Sequence, residues 1–230
     1  MGLDRKLWVV GCPGDLSADG IVCGPLESVV DSRPAGERVC RADARDVSNE
    51  RSDSVSLPMP SNTYAMDLVH SQIAFSVRHL GISSVRGTFD QYSGALFVGD
   101  TLEQTTVTFE AEMASVNSGN RMRDEHIHNA DFFDVENHPT MNFHSTSITA
   151  DGDHYRMAGK LAIKGVTRDV EFVITYNGAA LFPMDNLMHH GFTGTGTISR
   201  SAFGVSYGVP LVSDEVELWL DVQFIAPTAE

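Results

Sequence analysis

The feature that most constrains this chain is an alternation of apolar and polar residues with a period of two, which recurs from Thr63 onward. Successive side chains of a β-strand point to opposite faces, so this pattern predicts strands that bury one face. Strands of this kind are typical of antiparallel sheets. The clearest alternating segments begin at Tyr64, Ile73, Val107, Met157, Val170 and Leu218.

Turn residues separate these strands at Val98-Gly99-Asp100, Asp151-Gly152-Asp153, Lys164-Gly165 and Asn177-Gly178. Helical segments are scarce, and the best candidate runs from Ser118 to Asn129. Many strands and one short helix fit a closed antiparallel barrel or a sandwich, and the length of the alternating segments favours the barrel. A barrel of about eight strands leaves an interior that is either packed or just wide enough for one slender ligand.

The first 60 residues differ sharply from the rest. All 12 Phe and all 5 Tyr lie at or after Tyr64, and all 9 His lie at or after His70, whereas Cys12, Cys23 and Cys40 lie before them. Residues 1–60 have no sustained period of 2 or 3.6. We therefore predict a disordered or loosely attached extension over residues 1–60 and a β-barrel domain over residues 61–230.

The beginning of the chain bears on localisation. Val9-Val10-Gly11-Cys12 is similar to a bacterial lipoprotein cleavage box, but the apolar stretch before it is too short for a signal peptide. We therefore expect a cytoplasmic protein, with export as the alternative. A second alternative is that translation begins at Met59 and that the preceding stretch is not part of the native protein.

The charge of the chain excludes two classes of partner. Lys and Arg number 16 against 31 Asp and Glu, so the formal net charge is −15. Nucleic acids and anionic membranes are both bound through basic surfaces, so we expect neither partner. No stretch approaches the roughly 18 apolar residues of a membrane-spanning helix, so we expect no stable membrane insertion.

Signals for catalysis are weak. His126-Ile127-His128 has the spacing of a metal-binding pair on a strand, but on a helix these two side chains diverge by about 200°. We interpret them as polar residues at the rim of the barrel. His189-His190 is interpreted as a loop pair without a partner. Nucleophile elbows and phosphate-binding loops are absent, and Gly194-Thr195-Gly196-Thr197 is interpreted as a strand in which glycine removes bulk from one face.

The predicted inward face is rich in aromatic residues and almost devoid of charge. It carries Phe75, Phe89, Phe97, Phe109, Phe143, Phe172 and Phe224. His79 continues the inward face of the strand that begins at Ile73, either as a hydrogen-bonded structural histidine or as a polar ligand contact. A packed core and a ligand-binding interior both suit such a face, and composition does not separate them.

Four segments carry a resemblance to a known family. Asp67–Phe89 (DLVHSQIAFSVRHLGISSVRGTF) closely resembles the opening of the YceI-like family, and three later segments agree with it in order. These segments are Arg123–Asp134 (RDEHIHNADFFD), Gly159–Arg168 (GKLAIKGVTR) and Ile198–Gly204 (ISRSAFG). Together they account for nearly all of the chain from Thr63 to Phe224.

The resemblance implies a lipocalin-like closed antiparallel β-barrel, and a polyisoprenoid or similar long-chain amphiphile held in its interior. The inward phenylalanines would then line a tunnel, together with Val77, His79 and Leu161. The mouth of the tunnel would lie near Arg121, Arg123, His126 and Phe133. A homodimer would be in keeping with the family.

Three hypotheses therefore remain open. The first is a non-catalytic binding or carrier protein for an isoprenoid or fatty amphiphile, with no cofactor other than that lipid. The second is a metal-dependent enzyme that uses His126 and His128. The third is a stress-related module whose barrel core is fully packed.

Overall fold

The computed structural model describes residues 56–226 of the 230-residue chain. Most of the predicted extension, with its three cysteines, lies outside this range. The strands are β1 (Asn62–Met66), β2 (Gln72–His79), β3 (Ser83–Phe89), β4 (Tyr92–Val98), β5 (Thr106–Glu112), β6 (Val116–Asn117), β7 (Thr140–Asp151), β8 (His154–Ile163), β9 (Val166–Phe182), β10 (Leu187–Ser199) and β11 (Val212–Ile225). One α-helix, α1 (Arg121–Ile127), follows β6, and short 3₁₀ turns occur at Leu102–Gln104, Met113–Ser115 and Ser201–Phe203.

Eight of these strands close into a barrel. Each strand is hydrogen-bonded to the next in the order β1-β4-β5-β7-β8-β9-β10-β11, and β11 pairs back with β1. All pairings are antiparallel. The prediction of an all-β closed antiparallel barrel of about eight strands with one short helix is confirmed.

The closure of the barrel is uneven along β11. The end of β11 meets β1 over only two residue pairs, Ala65 with Ile225 and Met66 with Phe224. The remainder of β11 pairs with β2, which extends the wall through β3 to β6. The edge of β11 is therefore covered by two consecutive strands rather than by one long one. We call the two-pair contact between β1 and β11 the seam.

Alternation along the strands produces the inward apolar face. In β11 the residues Val216, Leu218, Leu220, Val222 and Phe224 face the interior and alternate with outward polar residues and a partly exposed Trp219. This period of two is what the sequence predicts, because each half-buried strand must place its apolar residues on one face. The core lies inside the barrel and continues to Leu57 and Met59, which are buried just before β1.

Helix α1 is shorter than the predicted segment Ser118–Asn129. Its start is set by Asn120, whose side-chain oxygen accepts a hydrogen bond from the backbone N–H of Arg123 at 3.1 Å. No helix among residues 56–226 is long and apolar enough to cross a bilayer.

One predicted turn is wrong. Asn177-Gly178 lies within β9 and forms a β-bulge there, because Gly191 pairs with Gly178 whereas Phe192 pairs with Tyr176. Asn177 is therefore the extra residue. The backbone φ of Gly178 is +111°, which favours glycine. An Asn-Gly pair satisfies the geometry of a bulge as well as that of a tight turn, so the dipeptide alone did not distinguish them.

Candidate ligand-binding cavity

The barrel contains an internal cavity of about 230 Å³. For comparison, an engineered apolar cavity of about 150 Å³ admits a benzene molecule. Among the described residues that line the cavity, only Tyr155, Thr193 and Arg200 carry a polar side-chain group. The interior therefore contains an almost wholly apolar space and is not fully packed.

Nine residues that the sequence predicts as ligand contacts line this cavity. They are Phe75, Val77, Phe89, Phe109, Phe133, Phe143, Leu161, Phe172 and Phe224. Several of the rings contact one another edge-on or tilted, as between Phe143 and Phe172, whose centroids are 5.5 Å apart at an interplanar angle of 89°. Their position on the wall agrees with the prediction, and contact with a ligand stays a prediction.

Glycines on neighbouring strands leave room for these aromatic and aliphatic side chains against the wall. Gly196 pairs with Phe172, and a Cβ at Gly196 would lie 2.6 Å from the ring atom Cδ1. Gly194 has the same relationship to Ile174. The interpretation of Gly194 and Gly196 as strand glycines that remove bulk is confirmed. Each inward side chain rests on the backbone across from it instead of projecting further into the cavity.

Phe97 is a wrong prediction. In β4 the cavity is lined by Leu96, and Leu96 and Val98 are both buried, so the odd-numbered Phe97 faces outward. Its side chain is 47% exposed. The aromatic side chain of Phe97 favours an inward position, but the phase of the alternation in β4 requires the opposite face.

Three polar candidates do not line the cavity either. His79 has the inward phase of β2 but is the last residue of that strand, and it is exposed at the rim. Arg121 is 89% exposed and pairs with Glu125 at 3.6 Å. His126 packs edge-on against Phe132, a cavity-lining residue, with a centroid distance of 5.1 Å, so it lies behind the lining rather than in it.

Sequence reasoning missed Arg200, the one charged side chain among the described lining residues. It is 7% exposed, and its guanidinium donates hydrogen bonds of 2.8–2.9 Å to the backbone carbonyls of Ser213, Val205, Tyr207 and Val212. Burial lowers the pKa of Arg200, and the Asp214 carboxylate opposes this effect. An arginine nevertheless stays charged in proteins. The guanidinium therefore fastens the segment between β10 and β11.

The prediction for His189-His190 is wrong. Both residues lie in β10, both are buried, and both have partners. His190 faces inward beside Tyr176, whose hydroxyl is 3.1 Å from Nδ1, and it packs edge-on against Tyr64. Burial, with a smaller contribution from the neighbouring charge of His189, lowers the pKa of His190. Strand β10 continues past the β-bulge opposite Gly178. The prediction of a turn at Asn177-Gly178 gave no indication that the strands extend this far.

Potential metal ligands converge elsewhere than predicted. Among residues 56–226, Asp67, His70 and His189 form the group whose ligand atoms all lie within 4.8 Å of one another. His126 and His128 belong to no such group that the described residues form. His126 has Asp131 at 3.3 Å, and the Nε2 atom of His128 is buried without a hydrogen-bond partner in the part of the chain that the structure describes. The arrangement does not favour metal chemistry at the predicted pair.

Comparisons with known proteins agree with this fold. Residues 64–224 match the model of the YceI-like domain. UPF0312 proteins of Staphylococcus aureus, among them those of strains N315 and Mu50, are 33% identical over 165 residues, which is 71% of this chain and 94% of theirs.

Solved structures extend the comparison. BcnA of Burkholderia cenocepacia superimposes with a TM-score of 0.62 at 26% identity over 70% of this chain and 99% of its own. A Campylobacter jejuni YCEI protein has a TM-score of 0.58 at 30% identity, with 65% of this chain and 90% of that chain covered. A domain from Saccharophagus degradans, described as polyisoprenoid-binding, has a TM-score of 0.53 at 15% identity over 71% and 98% of the two chains, and shows likeness of fold alone. The family match over residues 64–224 and the 33% identity to the UPF0312 proteins show that the chain belongs to the YceI-like domain family.

Proposed function

We propose that this protein is a non-catalytic binding or carrier protein for a polyisoprenoid or a similar long-chain amphiphile. The observation that carries the proposal is the apolar cavity of about 230 Å³ along the inside of the barrel. A fully packed core would leave no such space, because protein interiors otherwise contain few voids larger than a water molecule. The ligand is held by burial of its chain.

The energetics suit a slender hydrocarbon. Each methylene that moves from water into an apolar site contributes about 0.8 kcal/mol, and this gain must exceed the cost of ordering the chain. Apart from Tyr155, Thr193 and Arg200, the lining is apolar and offers no directional polar contacts to the chain. We therefore expect selection by width and length rather than by chemical detail.

The likeness to the Saccharophagus degradans domain supports the choice of a polyisoprenoid as the first ligand to test. The lining supports a binding role over a catalytic one, because its described residues include no Cys, His, Asp or Glu that would act as a nucleophile or a general base. The alternative of an enzyme based on His126 and His128 has no comparable support, since neither residue lines the cavity.

The experiment is to purify the full chain without detergent, record native mass spectra, and identify bound molecules by organic extraction. We expect an apolar chain-like molecule in the folded protein. The variant Phe172→Trp, which adds bulk inside the cavity, should lower the bound fraction several-fold. The variant Val173→Trp adds the same ring to the outer face of the same strand and should leave it unchanged. Protein that is repeatedly empty, and takes up neither a polyprenol nor a fatty amide, would overturn the proposal.

A further inference from the structure

The seam between β1 and β11 has a cluster of polar side chains on its outer side. Asp67 directly follows β1, His70 lies three residues further on, and His189 lies in β10 opposite Ile225 of β11. Gln223 of β11 completes the group, with its Oε1 atom 3.2 Å from His189 Nδ1. Four side chains from three separate parts of the chain therefore meet where the barrel wall has its shortest strand pairing.

The potential ligand atoms of Asp67, His70 and His189 all lie within 4.8 Å of one another, close enough to share one small cation after small movements of the side chains. Asp67 Oδ2 lies 2.7 Å from His70 Nδ1 and 3.3 Å from His189 Nδ1. In a tetrahedral zinc site with bonds of about 2.0–2.1 Å, neighbouring ligand atoms are about 3.3 Å apart. The His189 distance has this value, and the His70 contact needs a displacement of about half an ångström. His70 is 46% exposed and lies in a loop, so its ring has room to move.

Surrounding hydrogen bonds orient the ligand atoms. Asp67 Oδ1 accepts the backbone N–H groups of Val69 at 2.9 Å and His70 at 3.3 Å, which leaves Oδ2 directed at the two imidazoles. His189 Nε2 lies 2.9 Å from the carboxylate of Asp185, so Nε2–H donates there and Nδ1 faces the cluster. A carboxylate that holds the far nitrogen of a histidine is the usual support of a metal-bound imidazole.

The environment also suits a bound ion. Asp67 and His189 are 7% and 8% exposed, and Phe182 packs edge-on against both His189 and His70 at centroid distances of 5.1 and 5.8 Å. The exposed His70 provides an entry path from solvent. Imidazole and carboxylate together are ligands for zinc, copper, iron and nickel rather than for calcium or magnesium.

We propose that Asp67, His70 and His189 bind a divalent first-row transition metal ion, with the side-chain oxygen of Gln223 as the fourth ligand. The ion would tie the loop after β1 to β10 and β11 and thereby fasten the seam. Because such a site exists only in the folded chain, binding stabilises the protein by mass action. This site lies on the outside of the wall and does not depend on a ligand in the cavity.

The test uses the full chain with Cys12, Cys23 and Cys40 replaced by Ser, so that thiols do not contribute. Zn²⁺ is titrated calorimetrically against a competing chelator, and Co²⁺ is used as a spectroscopic probe of coordination. We expect one ion per chain, an absorption spectrum of low-coordinate Co²⁺ with nitrogen ligands, and a higher melting temperature with Zn²⁺ than with EDTA.

Variants assign the ion to this cluster. His70→Ala, at an exposed position that need not disturb folding, should weaken Zn²⁺ binding by at least 100-fold, and Asp185→Asn should weaken it by about 10- to 100-fold. The double variant His126→Ala/His128→Ala removes a histidine pair outside the cluster and should bind Zn²⁺ normally. Absence of stoichiometric binding, or binding that survives His70→Ala with unchanged affinity, would overturn the proposal.

Discussion

The ring of Phe172 occupies the place where a side chain at Gly196 would begin, because a Cβ at that glycine would lie 2.6 Å from Cδ1 of the ring. The two residues are directly paired between β9 and β10. The ring therefore keeps its position against the wall only while residue 196 has no side chain.

We expect Gly196→Ala to push the Phe172 ring into the cavity. The variant should lose about 1–3 kcal/mol of unfolding free energy, as overpacking typically costs, and should bind less of the cavity ligand. Urea denaturation and native mass spectrometry measure the two effects. Gly191→Ala is the control on the same strand, since a Cβ there meets its nearest atom at an ordinary 3.7 Å. Equal behaviour of the two variants would contradict the prediction.

Arg200→Met should be strongly destabilising. The substitution removes a guanidinium that donates to four backbone carbonyls and leaves those acceptors without their donors in a largely buried setting. We expect a loss of about 3–5 kcal/mol in unfolding free energy. Chemical denaturation is the measurement. Arg156→Met, which removes an exposed arginine paired with Asp151 and Glu171, should change the denaturation midpoint far less.

His189 makes stability depend on pH. Burial lowers the pKa of His189, but hydrogen bonds to Asp185 and Gln223 and the charges of Asp185 and Asp67 outweigh it, so the pKa lies above its ordinary value. A raised pKa means that the protonated form stabilises the fold below about pH 6.5 and that this stabilisation disappears as pH rises through the higher folded pKa.

The variant His189→Gln tests this dependence in the presence of EDTA. We expect it to be less stable than the parent chain by about 2 kcal/mol near pH 6, with the difference shrinking at alkaline pH. The groups that face His189 are Asp67, Asp185, His70 and the adjacent His190. Burial raises the pKa of Asp67, but hydrogen bonds from the His70 side chain and from the backbone N–H groups of Val69 and His70 outweigh it, so the pKa lies below its ordinary value. The stabilisation from Asp67 therefore disappears in acid instead. A difference independent of pH from 5 to 9 would contradict the assignment.

Phe109→Ala should enlarge the cavity. Phe109 lines it, whereas Phe97 lies outside it on the neighbouring strand, so Phe97→Ala is the matched control. We expect Phe109→Ala to cost about 3–5 kcal/mol and to admit a branched or aromatic probe that the parent chain rejects. Phe97→Ala should cost much less and should leave probe selection unchanged. Fluorescent probes of two widths, with denaturation in urea, measure both effects.

The period of two predicted the barrel and most of its lining because the phase of each strand is repeated over several residues. Leu218, Leu220, Val222 and Phe224 leave no doubt about the inward face of β11. In β4 the inward position 94 is a glycine, and the outward position 97 is a phenylalanine, so residue type opposed phase and misled the prediction. The phase of the alternation predicts the inward face better than residue type does, because a register shift of one residue would expose every buried side chain of the strand.

Polar residues were harder to predict because their roles depend on partners far away in the chain. The clearest clue to Arg200 was its phase, two residues after the inward Ile198, but a charged residue on an inward face is ordinarily dismissed. Nothing local to His189 indicates that Asp67 and Gln223 would face it, because those residues belong to opposite ends of the domain. Barrel closure alone brings them together.

The two-pair seam has a consequence for the order in which the barrel unfolds on heating. β9 and β10 have 17 and 13 residues and pair along most of their lengths, whereas β1 has five residues and meets β11 at two of them. Local opening begins where the fewest cooperative bonds must break together. The pairing of β1 with β11 should therefore open first on heating, and unfolding should proceed from there toward the hairpin of β9 and β10.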